Sequence, residues 1–497
     1  MATAIPKNQA SFTLRAILDA TGGSFDQGDW GEADRTTEVS TDTRQVGPGA
    51  LFVALRGETY DAHDHLEKAV NAGAKVLVVE RDVKAIPGAT IVRVPSTLEA
   101  LRALGRAHLR AWRALGGTRW TIAITGSAGK TTTRVATQAL LERLHPGEVH
   151  ATKGNLNNLV GAPMVAFGLG PEHRYAIFEI GTNRPGEIEA LATFVEPDVG
   201  LITLVAEAHI EELGSLEGVA HEKAALFRAL REDGEAIGNG DNALVRARIA
   251  TSPARTKTLY GTSEDAAVRI VARSPEGLDR SRLQIRIEGQ GDISVVTPLL
   301  GEAGALACAA AIAAARASGS GPLDAALVNE AFATCEVGGG AGRLVPMIVG
   351  RDVAVIDDSY NANPASMRAS IRAASEIARA QGRRLVLVLG DMRELGTATE
   401  DGHDQVGRAA KESRADLVIG VGTHAVRYVL PLRESATVNM LSKTAEDAAS
   451  LAREHVRPGD LVLVKGSRGI GTDAVVRALA SHFGSNHDHA RTGEGRA

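Results

Sequence analysis

Trp120-Thr121-Ile122-Ala123-Ile124-Thr125-Gly126-Ser127-Ala128-Gly129-Lys130-Thr131-Thr132 decides how this chain of 497 residues is read. An apolar run ends in a glycine turn, and a helical pattern opens at Gly129 and continues to about Leu144. A strand, a glycine turn and a helix in that order cradle phosphate, because N–H groups of the turn and of the helix N-terminus face the anion. In this reading Thr125, Gly126, Ser127, Ala128, Gly129, Lys130, Thr131 and Thr132 hold a nucleoside triphosphate. Lys130 reaches the β- and γ-phosphates, and the Thr131 hydroxyl meets Mg²⁺. Ile124 stands where the general G-x-x-x-x-G-K-[ST] pattern has its first glycine. A glycine turn with a chance Gly-Lys-Thr is the alternative, and the strand–turn–helix context speaks against it. The loop alone does not separate ligase, motor and switch, although the lack of an Asn-Lys-x-Asp string weakens a GTPase reading.

Strand-like and helix-like segments alternate on both sides of this unit. Further strands are expected at 176–180 and 199–205 and a helix over 216–230, which builds parallel βαβ units around a central sheet. Upstream, apolar runs at 51–55, 76–79 and 91–92 alternate with helical stretches at 66–72 and 97–114, until Gly116-Gly117 breaks the pattern. Downstream, Gly338-Gly339-Gly340-Ala341-Gly342 reads as a linker. Beyond it, buried strands at 385–389, 417–421 and 461–464 run into polar or glycine-rich turns, where open α/β sheets bind ligands. The expected fold is α/β in three domains. These are a small N-terminal α/β domain (1–118), a central phosphate-loop domain on a parallel sheet (119–337) and a C-terminal Rossmann-like α/β domain (338–485), with 486–497 as a disordered tail.

Composition narrows the function classes. Hydrophobic residues at 44% and charged residues at 23% exclude disorder for the bulk of the chain. Aromatics are only 3%, so the cores rest on Ala, Val, Leu and Ile, which suits parallel strands under Ala-rich helices. A net charge of −5 argues against a general nucleic-acid binder. Only 11 of the 55 basic residues are lysines, and Lys130, Lys153, Lys223 and Lys465 all fall in motif strings. Cys308 and Cys335 cannot staple so long a chain and fit a reducing cytoplasm. Residues 1–11 lack the apolar stretch of a secretory signal. The Ala-rich run at 303–315 is shorter than the ~20 residues of a membrane span, so no span is expected.

Several uncommon strings follow in order. They are Lys153-Gly154-Asn155-Leu156-Asn157-Asn158, Glu179-Ile180-Gly181-Thr182-Asn183, Ala208-His209-Ile210 and Lys223, then Gly342-Arg343-Leu344 and Asp357-Asp358-Ser359-Tyr360-Asn361-Ala362-Asn363-Pro364. Last come Gly390-Asp391-Met392 with Glu394-Leu395-Gly396, His403, and Lys465-Gly466-Ser467-Arg468-Gly469. This order resembles the Mur ligase family over about residues 40–471. The Tyr-Asn-Ala-Asn-Pro and Gly-Asp-Met-x-Glu-Leu-Gly strings are similar to the branch that adds D-alanyl-D-alanine. The Asp-Asn-Pro-Arg string of the preceding ligase is absent. The N-terminal string Ser40-Thr41-Asp42-Thr43-Arg44 is similar to that family's uridine-nucleotide domain.

The resemblance implies an ATP-dependent ligase joining D-alanyl-D-alanine to a UDP-N-acetylmuramoyl tripeptide through an acyl phosphate. Lys130, Glu179, His209, Lys223 and Arg343 are its implied catalytic residues, and Thr131, Glu179, His209 and Lys223 its implied Mg²⁺ set. In the family the lysine matching Lys223 is carbamylated by CO₂, which turns a cation into a metal-holding anion. Arg343, Asp357, Tyr360, Asn361 and Asn363 are expected to meet ATP, with Asp357 at the ribose and Arg343 at the γ-phosphate. Thr43 and Arg44 are expected at the uridine end, and Asn155, Asn157 and Asn158 at the muramoyl substrate. Without the resemblance, His209 reads as a structural histidine, Lys223 as a solvated helix residue, and Asn361 to Pro364 as a turn before a helix. The partners implied are small molecules only, with neither nucleic acid nor membrane, for a cytoplasmic monomer. The linker is expected to act as a hinge whose closure excludes water. Ala303, Gly304 and Ala307 depart from the family pattern, where His-Asn and a later Asn help to hold adenine. The alternatives are another Mur-type or polyglutamate ligase, or a phosphate-loop ATPase or nucleotide-binding paralogue without ligase activity.

Overall fold

A computed structural model describes residues 8, 10–28, 30–31, 33–57, 59–335 and 342–484. The expected boundary at 337/338, the linker residues 338–341 and the tail 486–497 lie outside the described residues.

Three sheets of five, nine and six strands follow one another along the chain. In the middle sheet the strand Trp120–Thr125 lies between Tyr175–Glu179 and Val199–Ile202, parallel to both. All three are buried, as near-continuous apolar runs demand when helices cover both faces. Their C-terminal ends therefore open on one edge, and the phosphate-loop turn, Glu179 and the segment leading to His209 all issue from that edge.

The sheet also extends in a way that the alternation of elements upstream does not foretell. Val268–Glu276, Arg280–Ile287 and Gly291–Thr297 form an antiparallel meander joined in parallel to Thr256–Gly261. Arg280–Ile287 alternates exposed and buried residues strictly, the mark of a strand with one wet face.

One face of the middle sheet is covered by the helix Gly301–Ala315 lying against Lys130–Leu144. Ala309, Ala310, Ala311 and Cys308 are fully buried there, packed with Ile122, Ile124, Leu140 and Leu141. Small side chains let the helix sit close to both the sheet and its neighbour. The helix ends at Ala315, and the turn Arg316–Ser320 that follows kinks out of helical geometry at Ser318 and Gly319. Gly301–Ser320 counted together has the length and hydropathy of a membrane span, but the kink interrupts it and 67% of its most apolar window is buried within the protein.

The N-terminal five-stranded sheet carries one antiparallel strand at its edge, Ser24–Gln27. Its last helix, Thr97–Arg113, starts at an N-cap where the Ser96 side chain accepts from Glu99 N. Its C-terminal half reaches the middle domain. Arg106 and Arg110 both bind the Glu196 carboxylate, while Arg113 binds Asp198 at 3.2 Å and also the Thr121 hydroxyl.

In the six-stranded C-terminal sheet, Val353–Asp358, Asp460–Lys465, Arg384–Gly390, Leu417–Val421 and Val438–Ser442 are successive parallel neighbours. The helix Pro364–Ala380 begins where the sequence places it. Asn363 and Ser366 form a reciprocal capping box, and Pro364 occupies the first turn, where its missing N–H costs nothing.

Ala310 is 0% exposed in this close-packed layer, so Ala310→Leu is expected to destabilise the protein by about 1–3 kcal/mol through overpacking, measured by denaturant unfolding.

Candidate active site

The phosphate-loop turn is pinned from behind by the segment after Val199–Ile202. Ser127 N donates to Leu204 O at 2.7 Å, and the Ser127 hydroxyl donates to Ala206 O at 2.9 Å. Gly126 has φ +150°, and a Cβ there would lie 2.0 Å from Thr203 Oγ1, so only glycine fits the turn. Lys130 Nζ donates to Gly126 O at 2.7 Å. Burial is the main force holding its pKa down, with Glu179 opposing and Arg343 adding to the effect.

Glu179 is 2% exposed at its strand end. Its Oε1 accepts from Thr131 Oγ1 at 3.2 Å and from Asn157 Nδ2 at 2.9 Å. Its Oε2 has no hydrogen-bond partner and lies 3.6 Å from Arg134 Nε, which is itself unsatisfied. A buried carboxylate oxygen without a donor, beside a threonine hydroxyl, is the hard oxygen pair that a divalent cation takes when phosphate and water complete its shell. Among the described residues no group of three or more His, Cys, Asp or Glu is arranged for a metal. The fit therefore depends on such non-protein ligands.

His209 has φ +54°, and its Nδ1 lies 2.8 Å from Glu394 Oε2 of the third domain. Burial lowers its pKa, Glu394 opposes this, and Lys223 and Lys130 push it further down. Lys223 is 1% exposed rather than solvated. Burial and then the nearby Lys130 bring its amine to a pKa of about 7. Its neighbour Glu222 faces elsewhere, accepting from Gly186 N and Ile188 N, both at 2.8 Å, at the start of the helix Glu187–Val195.

The third domain brings the remaining cations. The Arg343 guanidinium stacks over the Tyr360 ring at 4.1 Å, with Arg468 at 5.4 Å from the same ring. Lys465 Nζ, 2% exposed, donates to Asp358 Oδ2 at 2.6 Å and to Asn361 O at 2.9 Å. Asn363 Nδ2 reaches across to Ser127 O at 3.2 Å, so the cap of one domain's helix touches the phosphate loop of another.

These groups surround a cavity of about 850 Å³ between the middle and C-terminal domains. Ser127, Ala128, Gly129, Lys130, Thr131, Thr132, Asn155, Asn157, Asn158, Glu179, His209, Arg343, Tyr360, Asn361 and Asn363 all line it. Ala303, Gly304 and Ala307 form part of its wall. Thr125, Gly126 and Lys223 stand behind the wall, and Thr43 and Arg44 lie in the N-terminal domain away from it. Arg44 is paired with Asp42 there.

The Asp357 carboxylate accepts from Ser359 N at 3.0 Å and Ser359 Oγ at 2.6 Å in its own strand-end turn, and Asp357 does not line the cavity. Asp358 lines the cavity instead. Sequence reasoning also passed over Arg134 and Glu394. Arg134 lies one helical turn after Lys130, a spacing that places both on one face.

A phosphate loop on one domain facing an arginine and a paired lysine on another defines an enzyme that holds a nucleotide's phosphates between two domains. The chain belongs to the Mur ligase family. Residues 124–315 match the Mur ligase middle domain, 342–468 the Mur ligase glutamate ligase domain and 35–109 the Mur ligase family catalytic domain. The chain is 35% identical to the UDP-N-acetylmuramoyl-tripeptide–D-alanyl-D-alanine ligase of Escherichia coli (strain K12), over 94% of this chain and 98% of that one. It is 33% identical to the enzyme of the same name from Bacillus subtilis (strain 168), over 89% and 92%. A crystal structure of MurF from Acinetobacter baumannii superposes with a TM-score of 0.83 at 28% identity, covering 96% of this chain and all of that one. MurF ligase of Thermotoga maritima, solved in complex with ADP, shares the fold, with a TM-score of 0.77 at 23% identity over 90% of this chain and 97% of that one.

Lys465→Met strands the buried Asp358 carboxylate, and the expected loss is about 3–5 kcal/mol of stability, measured by denaturant unfolding. The double variant Lys465→Met, Asp358→Asn is expected to recover part of it.

Proposed function

We propose that this protein is an ATP-dependent ligase that joins D-alanyl-D-alanine to a UDP-N-acetylmuramoyl tripeptide. The observation that carries this reading is the cavity itself, with Lys130, Glu179 and Arg343 converging in a chain matched almost end to end by enzymes of that activity. A carboxylate is a poor electrophile. Transfer of the γ-phosphoryl group to the tripeptide's terminal carboxylate gives an acyl phosphate and ADP. The dipeptide amine then attacks the acyl carbon, and phosphate leaves as the amide forms. The task of the protein is to gather three anions and hold them in line.

In this scheme the loop N–H groups and Lys130 hold the β- and γ-phosphates, and Arg343 crosses from the third domain to the transferred group. Tyr360, Asn361 and Asn363 border the nucleotide, and Asp357, on the adjoining strand end, holds the ribose or positions the nucleotide. Asn155, Asn157 and Asn158 present neutral donors and acceptors to the muramoyl peptide, while Thr43 and Arg44 take the uridine end. Thr131 and Glu179 would hold Mg²⁺, with His209 beside them; the ion supplies neutralisation of phosphate charge when bound. Lys223 fits carbamylation: an amine with a pKa of about 7 is substantially neutral at physiological pH and can attack CO₂, releasing a proton and becoming an anion. With domain boundaries near Gly117 and Gly338, the three binding tasks fall to separate units in this reading. A cytoplasmic setting suits both the nucleotide substrates and two buried free thiols.

Phosphate release measured with ATP is expected to require both the UDP-tripeptide and D-alanyl-D-alanine. Release independent of either would instead favour a phosphate-loop ATPase. Lys130→Ala is expected to lower kcat by at least ~100-fold, an effect of the size seen when one preorganised charge partner is lost. Lys223→Ala is expected to lose most activity and to regain part of it with short carboxylates. Intact mass of the wild type should carry the added mass of one CO₂.

A further inference from the structure

The contact between His209 and Glu394 joins the middle domain to the third domain, and both residues sit on unusual backbone. His209 has φ +54° and Glu394 φ +63°, left-handed values that side chains other than glycine rarely adopt. Such conformations persist where the surroundings over-determine them, and they gather at functional sites.

The surroundings of Glu394 do so. Just before it, Met392 N donates to His403 Nε2 at 3.1 Å, and the fully buried His403 ring is fixed from its other side by Thr399 O at 2.7 Å. Arg393 N donates to Ser467 Oγ at 3.0 Å. Just after it, Leu395 is 1% exposed, and Gly396 packs so tightly that a Cβ there would lie 3.1 Å from Glu211 Cα, two residues beyond His209. The backbone on both sides of Glu394 is thus anchored, and its carboxylate lies 2.8 Å from His209 Nδ1.

The pair does little for the fold. Glu394 is 63% exposed, and an ion pair so open to water adds little stability. Its value lies in direction. A ring whose Nδ1–H is held by a carboxylate has a fixed plane and keeps its proton on that nitrogen. Nε2 is left as a lone-pair donor. His209 lines the cavity, and among the described residues no hydrogen bond is recorded at its Nε2.

We propose that Glu394 is a positioning residue that fixes the plane and tautomer of His209, so that Nε2 is presented to the cavity only while the third domain is docked. Docking of the domain that carries Arg343 thereby also finishes a group on the domain that carries the phosphate loop. The inference rests on reading the cavity as a nucleotide–metal site.

The test compares wild type with Glu394→Gln and Glu394→Ala in the full chain. With ADP present and Mn²⁺ as a paramagnetic probe, both variants are expected to weaken Mn²⁺ binding by about tenfold, as loss of a carboxylate behind a metal-facing histidine does. kcat should fall by a similar factor, with KM for D-alanyl-D-alanine changed by less than about twofold and Tm unaltered. Nitrogen-15 histidine spectra should show the His209 ring protonated on Nδ1 in the wild type and losing that preference in Glu394→Gln, the signal being assigned by its absence in His209→Asn. Unchanged Mn²⁺ affinity together with an unchanged His209 tautomer would overturn the proposal. If the wild type itself neither binds Mn²⁺ with ADP nor releases phosphate, the ligase reading fails, and the tautomer comparison still decides the role of Glu394.

Discussion

One buried carboxylate stands among several cations, and much of the site follows from that imbalance. Glu179 is hidden at the end of its strand with Arg134 beside it, and its field reaches Lys130, while Arg343 approaches from another domain. Removing charges from water is costly unless they are paired, so a cavity that gathers these cations around few carboxylates suits anionic ligands. The whole-chain charge of −5 does not report this local grouping, because it sums 55 basic and 60 acidic residues wherever they lie.

The site is also divided between domains. Lys130, Arg134 and Lys223 stand on the middle domain, Arg343 and Lys465 face them across a cleft, and neutral or paired contacts do the joining. Asn363 on Ser127, Glu394 on His209 and the Arg273–Glu376 pair serve this purpose.

The fold was legible where chemistry is local. The strand, turn and helix around Gly126 and the capping box at Asn363 depend on residues within a few positions of each other, and both lie where the sequence puts them. Legibility ended where structure depends on distant partners. Lys223 reads as a surface lysine because its helix alone does not reveal what covers it. Asp357 and Asp358 are adjacent on a strand, so they point to opposite faces, and composition cannot say which face is wet. Glu394 stands in one of the strings that carry the resemblance, but its contact is hidden in sequence because its partner is 185 positions earlier in the chain. The antiparallel meander was overlooked because its polar face breaks up the apolar runs that mark the parallel strands, although Arg280–Ile287 carries a clear period of two.

The arginine ladder on the helix Thr97–Arg113 has a mechanical side. Three residues one turn apart, Arg106, Arg110 and Arg113, grip Glu196 and Asp198 at the base of the middle sheet. The grip falls at Thr121 and Asp198, where strands of the middle sheet begin, whereas the phosphate loop follows the other end of Trp120–Thr125. The joint between the first two domains and the cavity therefore share no residue, and each can change in sequence without touching the other.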